Sequence, residues 1–341
     1  MRILQVRRPL AALLTALVAI LALVAPVHPA TSVAQPVDPV AAASQVEPAV
    51  ARIDTEIHYQ NAVGNGTGIV LDPGGVVMTN FHVVSGADRI TASVAGRSYP
   101  AQLVGYDRRR DIAVLQLLGA GGLPAAPIGN SGTLVEGEPV VALGNAQGSD
   151  APLTQEVGTI TAFGRTVTAE DALTGSSDEI TGLIEFAAPV IAGDSGGPVV
   201  NGAGQVVGVT TAASVNFRMG PGGKGFAIPI NDALATANQI RSGAPSATVH
   251  IGPPVLLGVG VRTAPSDRPG VLVADVLRGG PAEQAGLVSG DVLTVLDGTP
   301  VNSATELTYV LDRHYAGDVI DLVWIDGGGQ QRTGKAALTP L

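Results

Sequence analysis

The sequence predicts a mainly β protein: an all-β barrel or sandwich followed by a second, smaller domain. Three observations carry this expectation. Short apolar runs recur along the chain with Gly, Asn, Asp or Pro between them. Glycine (45) and proline (24) are abundant, yet few segments show helical periodicity. The 341 residues suffice for two domains once a targeting segment is set aside.

Taken in order, residues 1–34 have the pattern of an export signal. Arg2, Arg7 and Arg8 precede an apolar run from Leu10 to Ala25, and Ser32-Val33-Ala34 offers small residues for cleavage before Gln35. The alternative is an uncleaved N-terminal anchor, but the run is 16 residues long and ends at Pro26. A membrane span needs roughly 20. Residues 35–48, rich in Pro, Ala and Val, are expected to be a flexible leader. The first domain is assigned to 49–241. Its apolar runs include Thr67 to Leu71, Val76 to Met78, Ile112 to Leu117, Val140 to Leu143, Leu183 to Phe186, Val206 to Val209 and Phe226 to Ile230. A helix, Asn231 to Arg241, closes it, with Asn231 as cap and Leu234, Ala237 and Ile240 at helical spacing. Residues 242–251 read as a polar linker, and 252–341 as the second domain.

Composition removes several function classes. Asp plus Glu (29) exceeds Lys plus Arg (19), a net charge of −10, and Arg108-Arg109-Arg110 is the one basic run. A nucleic-acid partner is therefore not expected. With no cysteine, disulfides, thiolate metal sites and cysteine nucleophiles are excluded. Gly64-Asn65-Gly66-Thr67-Gly68 mimics a phosphate loop, but a strand-like run follows it instead of a helix, so it reads as a turn. No paired histidines at helical spacing and no Asp-rich calcium loop occur, and neither metal nor cofactor is expected.

One constellation carries chemistry. Ser195 lies in Gly193-Asp194-Ser195-Gly196-Gly197-Pro198. A serine hydroxyl needs a base to take its proton and donors to hold the developing oxyanion, here the amides of Gly193 and Ser195. The string also fits the nucleophile elbow of an α/β-hydrolase. That elbow should lead into a helix, whereas Pro198 to Val209 reads as a β-hairpin; its base should follow the serine, where only His250 and His314 are found. A base stands upstream instead, His82 in Thr79-Asn80-Phe81-His82-Val83-Val84. Asp111, in Arg110-Asp111-Ile112-Ala113-Val114-Leu115, opens a strand 29 positions later. The order His, Asp, Ser is that of a chymotrypsin-type triad.

With Gly66 to Val70 and Gly225-Phe226-Ala227-Ile228-Pro229, these strings resemble the HtrA/DegP group of trypsin-fold serine proteases with PDZ domains, and most closely its secreted actinobacterial members. The resemblance runs from about Ala49 to Leu338. It implies a chymotrypsin-like pair of six-stranded β-barrels with the triad between them, then a small α+β PDZ domain. Two positions depart from the group: Asp194 stands where many members have Asn, and Phe81 replaces a small or polar residue. In digestive trypsin-like enzymes that acid pairs with an N-terminus made by activation cleavage; no such cleavage site is evident here, so the sequence assigns Asp194 no partner. The base of the primary pocket falls on Pro189 by position, with Thr211 and Ala212 beside it. Uncharged neighbours favour a small or medium aliphatic residue over Lys or Arg.

In the second domain, Leu256-Leu257-Gly258-Val259 resembles the loop with which PDZ domains receive a peptide C-terminus. Gly280 to Leu287, Gly290-Asp291-Val292-Leu293 and a helix begun by Asn302-Ser303 follow in the order such domains use. The expected function is a secreted endopeptidase acting on unfolded or damaged exported proteins. The alternatives are a catalytically idle peptide-binding scaffold and an esterase using the same serine. The resemblance implies homo-oligomers, often trimers joined through an aromatic-containing N-terminal segment; residues 35–48 contain no aromatic residue.

Overall fold

The computed structural model describes residues 38–57, 62–148, 151–170, 177–211, 223–264 and 269–341; the export signal of the sequence reading lies outside them. The chain enters through a short helix, α1 (Pro39–Ser44). Asp38 caps it, its carboxylate accepting from the Val40 N–H at 3.0 Å, and Pro39 suits the first helical position. Ala42, Ala43 and Val46 are buried against the second barrel. From residue 38 onward the expected flexible leader is therefore a docked helix. Small apolar side chains found a surface to cover, which composition does not reveal.

The first barrel comprises β1 (Val50–Ile57), β2 (Ala62–Asp72), β3 (Val76–Thr79), the one-turn helix α2 (Phe81–Val84), β4 (Arg89–Val94), β5 (Arg97–Asp107) and β6 (Ile112–Leu117). The strands pair in the order β5-β4-β1-β2-β3-β6, and β5 pairs β6 to close the ring. Ile53, Ile69, Val77, Met78, Val114 and Leu115 on its strands are completely buried, inside it or against what covers it. Each such side chain contributes about 1.5–3 kcal/mol of transfer free energy. Gly64 to Gly68, expected as a turn, lies instead within β2 and pairs with β1. Its glycines serve packing: a Cβ on Gly66 would stand 2.4 Å from Val83 Cγ1, and one on Gly68 2.6 Å from Val77 Cγ1.

The second barrel is built from β7 (Pro139–Gly144), β8 (Thr154–Glu170), β9 (Ser177–Phe186), β10 (Pro198–Asn201), β11 (Val206–Thr211) and β12 (Gly225–Pro229). It closes in the order β10-β11-β12-β9-β8-β7, and β10 with β11 is the hairpin expected after the serine. Val141, Leu143, Val200 and Val209 join the core of the first barrel, while Val140, Ile160, Phe186, Val199 and Val207 belong to a separate cluster of the second. Helix α3 (Ile230–Arg241) follows with Ala233, Ala237 and Ile240 buried. Asn231 does not cap it; Pro229 holds the cap position, and the Asn231 amide donates to Asn130 Oδ1 at 2.8 Å.

The stretch expected to be a linker contains a strand, β13 (Val249–Ile251), which pairs with β5 and extends the first barrel's sheet. His250, at its centre, is buried. Beyond it come β14 (Val255–Leu256), β15 (Val259–Thr263), β16 (Val271–Val276), α4 (Pro281–Ala285), β17 (Val292–Leu296), β18 (Thr299–Pro300), α5 (Ala304–Leu311), β19 (Val319–Ile325), β20 (Gln331–Ala337) and β21 (Thr339–Pro340). The main sheet runs β15-β16-β17-β19-β20 around a separate core that includes Leu257, Leu293, Leu307, Leu322 and Trp324. Helix α4 ends on Gly286 in the left-handed region (φ 97°). At α5, Ser303 Oγ accepts from the Glu306 N–H at 3.1 Å while the Glu306 carboxylate accepts from Asn302 N at 2.7 Å, a reciprocal cap. Among the described residues no helix is long and apolar enough to cross a membrane.

Candidate active site

His82 sits in α2, directly after β3, and Asp111 in the tight turn between β5 and β6, one residue short of the strand it was expected to open. The turn is demanding. Asp111 has φ 53°, a left-handed conformation that costs a non-glycine residue of order 1 kcal/mol or more. Backbone and side-chain bonds hold it there: its N–H donates to Arg108 O at 3.1 Å, and the buried Asn80 donates its side-chain amide to Asp111 O at 2.9 Å. The buried Asp111 carboxylate accepts from the His82 N–H at 3.0 Å through Oδ1; its Oδ2 lies 2.8 Å from His82 Nδ1 and accepts from the Thr211 hydroxyl at 3.2 Å. A carboxylate only accepts, so this geometry places the imidazole proton on Nδ1 and leaves Nε2 as the basic nitrogen.

Ser195 lies in the loop between β9 and β10 and is nearly enclosed. Glycine is required around it. Gly193 has φ 97° and a Cβ there would lie 2.6 Å from Ala146 Cα; Gly196 has φ 84° and a Cβ there would lie 2.1 Å from Thr67 O. Thr67, on β2 of the first barrel, secures this second-barrel loop. Its N–H donates to Ser195 O at 2.8 Å and its hydroxyl to Gly193 O at 2.7 Å. Asn145 N donates to that hydroxyl at 2.9 Å, and Thr79, three residues before His82, donates its hydroxyl to Thr67 O at 2.6 Å. The serine loop and the His82 helix are thus joined through two buried threonines.

Asp194, without an assigned partner in the sequence, has several here. Its fully buried carboxylate accepts from the Thr154 hydroxyl at 2.6 Å and from the Ile191 N–H at 2.9 Å. Burial pushes this carboxyl up; the bonds from Ile191, Thr154 and the Ala146 backbone pull it down and only partly compensate. The bond to Ile191 closes the loop on itself just ahead of Gly193.

The remaining expected site residues divide. Pro189 is exposed between buried Ala188 and Val190, and a Cβ on Gly223 would lie 2.6 Å from Pro189 Cα. Thr211, expected in the substrate pocket, instead gives its hydroxyl to Asp111, because it ends β11 facing the turn that carries that carboxylate. Ala212 lies outside the described residues. Leu256 ends β14 and Val259 opens β15; between them Leu257 is buried in the core, and Gly258 turns the chain at φ 80°. The residues that sequence reasoning passed over are Thr67, Thr79, Asn80, Asn145 and Thr154. All are buried polar side chains in or beside strands. A polar residue inside an otherwise apolar strand run was the available signal.

Comparisons with known proteins agree with this architecture. The trypsin-like peptidase domain model matches residues 66–209, and the PDZ domain model matches 255–331. The protein named serine protease HhoA of Synechocystis sp. is 32% identical over 80% of this chain and 77% of its own length. Serine protease PepD of Mycobacterium tuberculosis is 30% identical, covering 87% of this chain and 65% of that one. A DegP-like periplasmic serine endoprotease of Pseudomonas savastanoi pv. phaseolicola is 36% identical over 78% of this chain, which spans only 54% of that relative. Among solved structures, a variant of the HtrA-type protease AlgW with a tripeptide superposes with a TM-score of 0.53 at 29% identity, over 89% of this chain and 98% of that one. The fold is a chymotrypsin-like double barrel followed by a PDZ domain, and the chain belongs to the HtrA/DegP-type trypsin-like serine proteases.

Proposed function

We propose that the protein is an exported serine endopeptidase using His82, Asp111 and Ser195, and that its PDZ domain captures the C-termini of extended chains. The observation that carries the catalytic part is the His82–Asp111 contact of 2.8 Å in a buried turn, which orients Nε2 as a base. Nε2 takes the Ser195 hydroxyl proton as Oγ attacks the substrate carbonyl carbon, and the oxyanion falls to the amides of Gly193 and Ser195. His82 then gives that proton to the departing amine, leaving an acyl-serine. Water, deprotonated by His82, releases the acid and restores the hydroxyl.

Pro189 stands where the family resemblance puts the primary pocket, and its uncharged neighbours favour small aliphatic residues before the scissile bond. The turn at Leu256, Leu257, Gly258 and Val259 lies at the start of β15, where an added strand and its terminal carboxylate would meet backbone amides. Unfolded exported polypeptides fit both features, and the signal-like residues 1–34 and the periplasmic relatives support an extracytoplasmic site of action.

Ser195→Ala tests the reading. Turnover of unfolded casein and of Val- or Ala-containing peptides should fall by roughly 10⁴ or more, with loss of fluorophosphonate labelling and an unchanged melting temperature. The same inactive chain should bind a peptide ending in Val as the free acid and not as the amide. Residual proteolysis above a few per cent of wild type would sink the catalytic assignment, and equal binding of acid and amide would sink carboxylate capture.

A further inference from the structure

Asp312 is the residue on which α5 ends. A carboxylate there faces the negative end of the helix dipole, an unfavourable place for it. Its partners lie in the protease domain. Asp312 Oδ1 accepts from the Tyr106 hydroxyl at 2.6 Å and from Arg108 Nη2 at 3.3 Å, and Oδ2 accepts from Arg108 Nε at 2.8 Å. Tyr106 is fully buried and Arg108 nearly so. Burial and the adjacent Asp312 carboxylate keep the Tyr106 phenol protonated, as a donor must be. The backbone of Asp312 is itself held by β13: His250 Nδ1 lies 2.9 Å from the Asp312 carbonyl oxygen, and the His250 ring stacks on Tyr106 at 5.1 Å and on Tyr315 at 4.7 Å.

What Tyr106 and Arg108 touch on their other sides gives this contact a catalytic consequence. Tyr106 stacks on Phe81 with ring centroids 4.3 Å apart, and the Arg108 guanidinium stands 4.7 Å from the Phe81 ring centre. Phe81 is the residue before His82 in α2. Arg108 also heads the turn of Asp111, its carbonyl accepting the Asp111 N–H. We propose that Asp312, supplied by the PDZ domain, is a positioning residue for proteolysis: by clamping Tyr106 and Arg108 together it holds Phe81 and the Asp111 turn, and so sets the His82–Asp111 alignment. Without the carboxylate, the buried guanidinium loses the charge that two of its nitrogens bond and, drawn toward the nearby Asp178, shifts from its seat over Phe81. Because its own backbone forms the turn, Asp111 moves with it. Phe81, the departure from the family pattern noted in the sequence, is the aromatic surface this clamp requires.

The proposal rests on the catalytic reading above, and the test separates the two. Full-length wild type, Ser195→Ala, Asp312→Asn, Tyr106→Phe and Tyr309→Phe are compared by active-site titration and by kcat and KM per titrated site. Tyr309 is the control. It joins the same two domains through a hydroxyl bond to Asp178, and its ring keeps the Arg109 contact when the hydroxyl is removed. Asp312→Asn should lower kcat per site by roughly ten- to a hundredfold with KM unchanged, the cost of a slightly misplaced catalytic group. Tyr106→Phe, which keeps the Phe81 stack and loses one hydrogen bond, should lower it by about threefold. Tyr309→Phe should leave it unchanged. A merely structural contact would lower the number of titratable sites or the melting temperature and leave kcat per site alone; that result overturns the proposal, as does an equal fall in Tyr309→Phe. If Asp312→Asn does not fold, Tyr106→Phe and Arg108→Lys carry the same comparison. Activity retained in Ser195→Ala would remove the catalytic reading and the clamp with it.

Discussion

The two halves of the active site are held by different physics. In the first barrel, His82 and Asp111 are fixed by side-chain charge: one carboxylate with three donors, set in a strained turn whose neighbouring Arg108 answers to a carboxylate from another domain. In the second barrel, Ser195 is fixed by backbone shape, with left-handed glycines on either side and carbonyls sewn to Thr67 and Thr210. The first half should therefore respond to changes of charge at constant shape, and the second to changes of shape at constant charge.

The largest effect expected is that of Asp111→Asn. The amide keeps the volume but cannot accept at both atoms, so it faces either the His82 N–H or Nδ1–H with a donor. Turnover should fall by about 10⁴, while circular dichroism and melting temperature stay close to wild type. A loss of less than tenfold would mean that shape, not charge, governs this half.

Next comes Gly196→Ala. The methyl would stand 2.1 Å from Thr67 O and force an alanine to φ 84°. Destabilisation of about 2 kcal/mol or more in urea and a fall in kcat of roughly a hundredfold are expected. Gly96→Ala sharpens the contrast. That glycine, in the β4–β5 turn, has φ 77° and nothing within 4 Å of a new Cβ. It should cost about 1 kcal/mol and leave kcat untouched. Equal losses of activity at both positions would break the distinction between a shaped loop and an ordinary turn.

The smallest effect concerns Asp194, the buried carboxyl next to the serine. Because burial raises its pKa in the folded state, the folded protein holds this proton more tightly than the unfolded chain does. Its contribution to stability is therefore best below the ordinary aspartate pKa of about 4 and declines as pH rises through the raised value. Asp194→Asn removes that dependence and can still accept from Ile191 N while donating to Thr154 Oγ1. The stability of the variant relative to wild type should grow as pH is raised from about 3 to 7, read by thermal melts across that range. A difference that shrinks as pH rises would show that this carboxylate is stabilised, not penalised, where it lies.

Much of this molecule could be read along the chain. Strands with continuous apolar runs, such as Ile112 to Leu117, announce themselves because both faces are buried. The hairpin after Ser195, the capped helix at Ser303 and the order His82, Asp111, Ser195 likewise rest on local spacing and local bonds. A strand such as β4 is less visible, since its outer face carries Arg89, Thr91 and Ser93 in alternation with buried residues.

The sequence by itself determined the fold class and the candidate triad, because turn chemistry, periodicity and motif spacing are properties of neighbouring residues. Only the tertiary structure decided that residues 39–44 form a docked helix, that Val249–Ile251 extends the first barrel, and that Gly64 to Gly68 is strand. It alone decided that Thr211 serves Asp111, that Asp194 bonds Thr154, and that Asp312 reaches Arg108 across 204 positions of sequence. Each of these is a buried polar or apolar group satisfied by a distant partner. Burial obliges such a group to find one, and the closed barrels determine which residues are within reach.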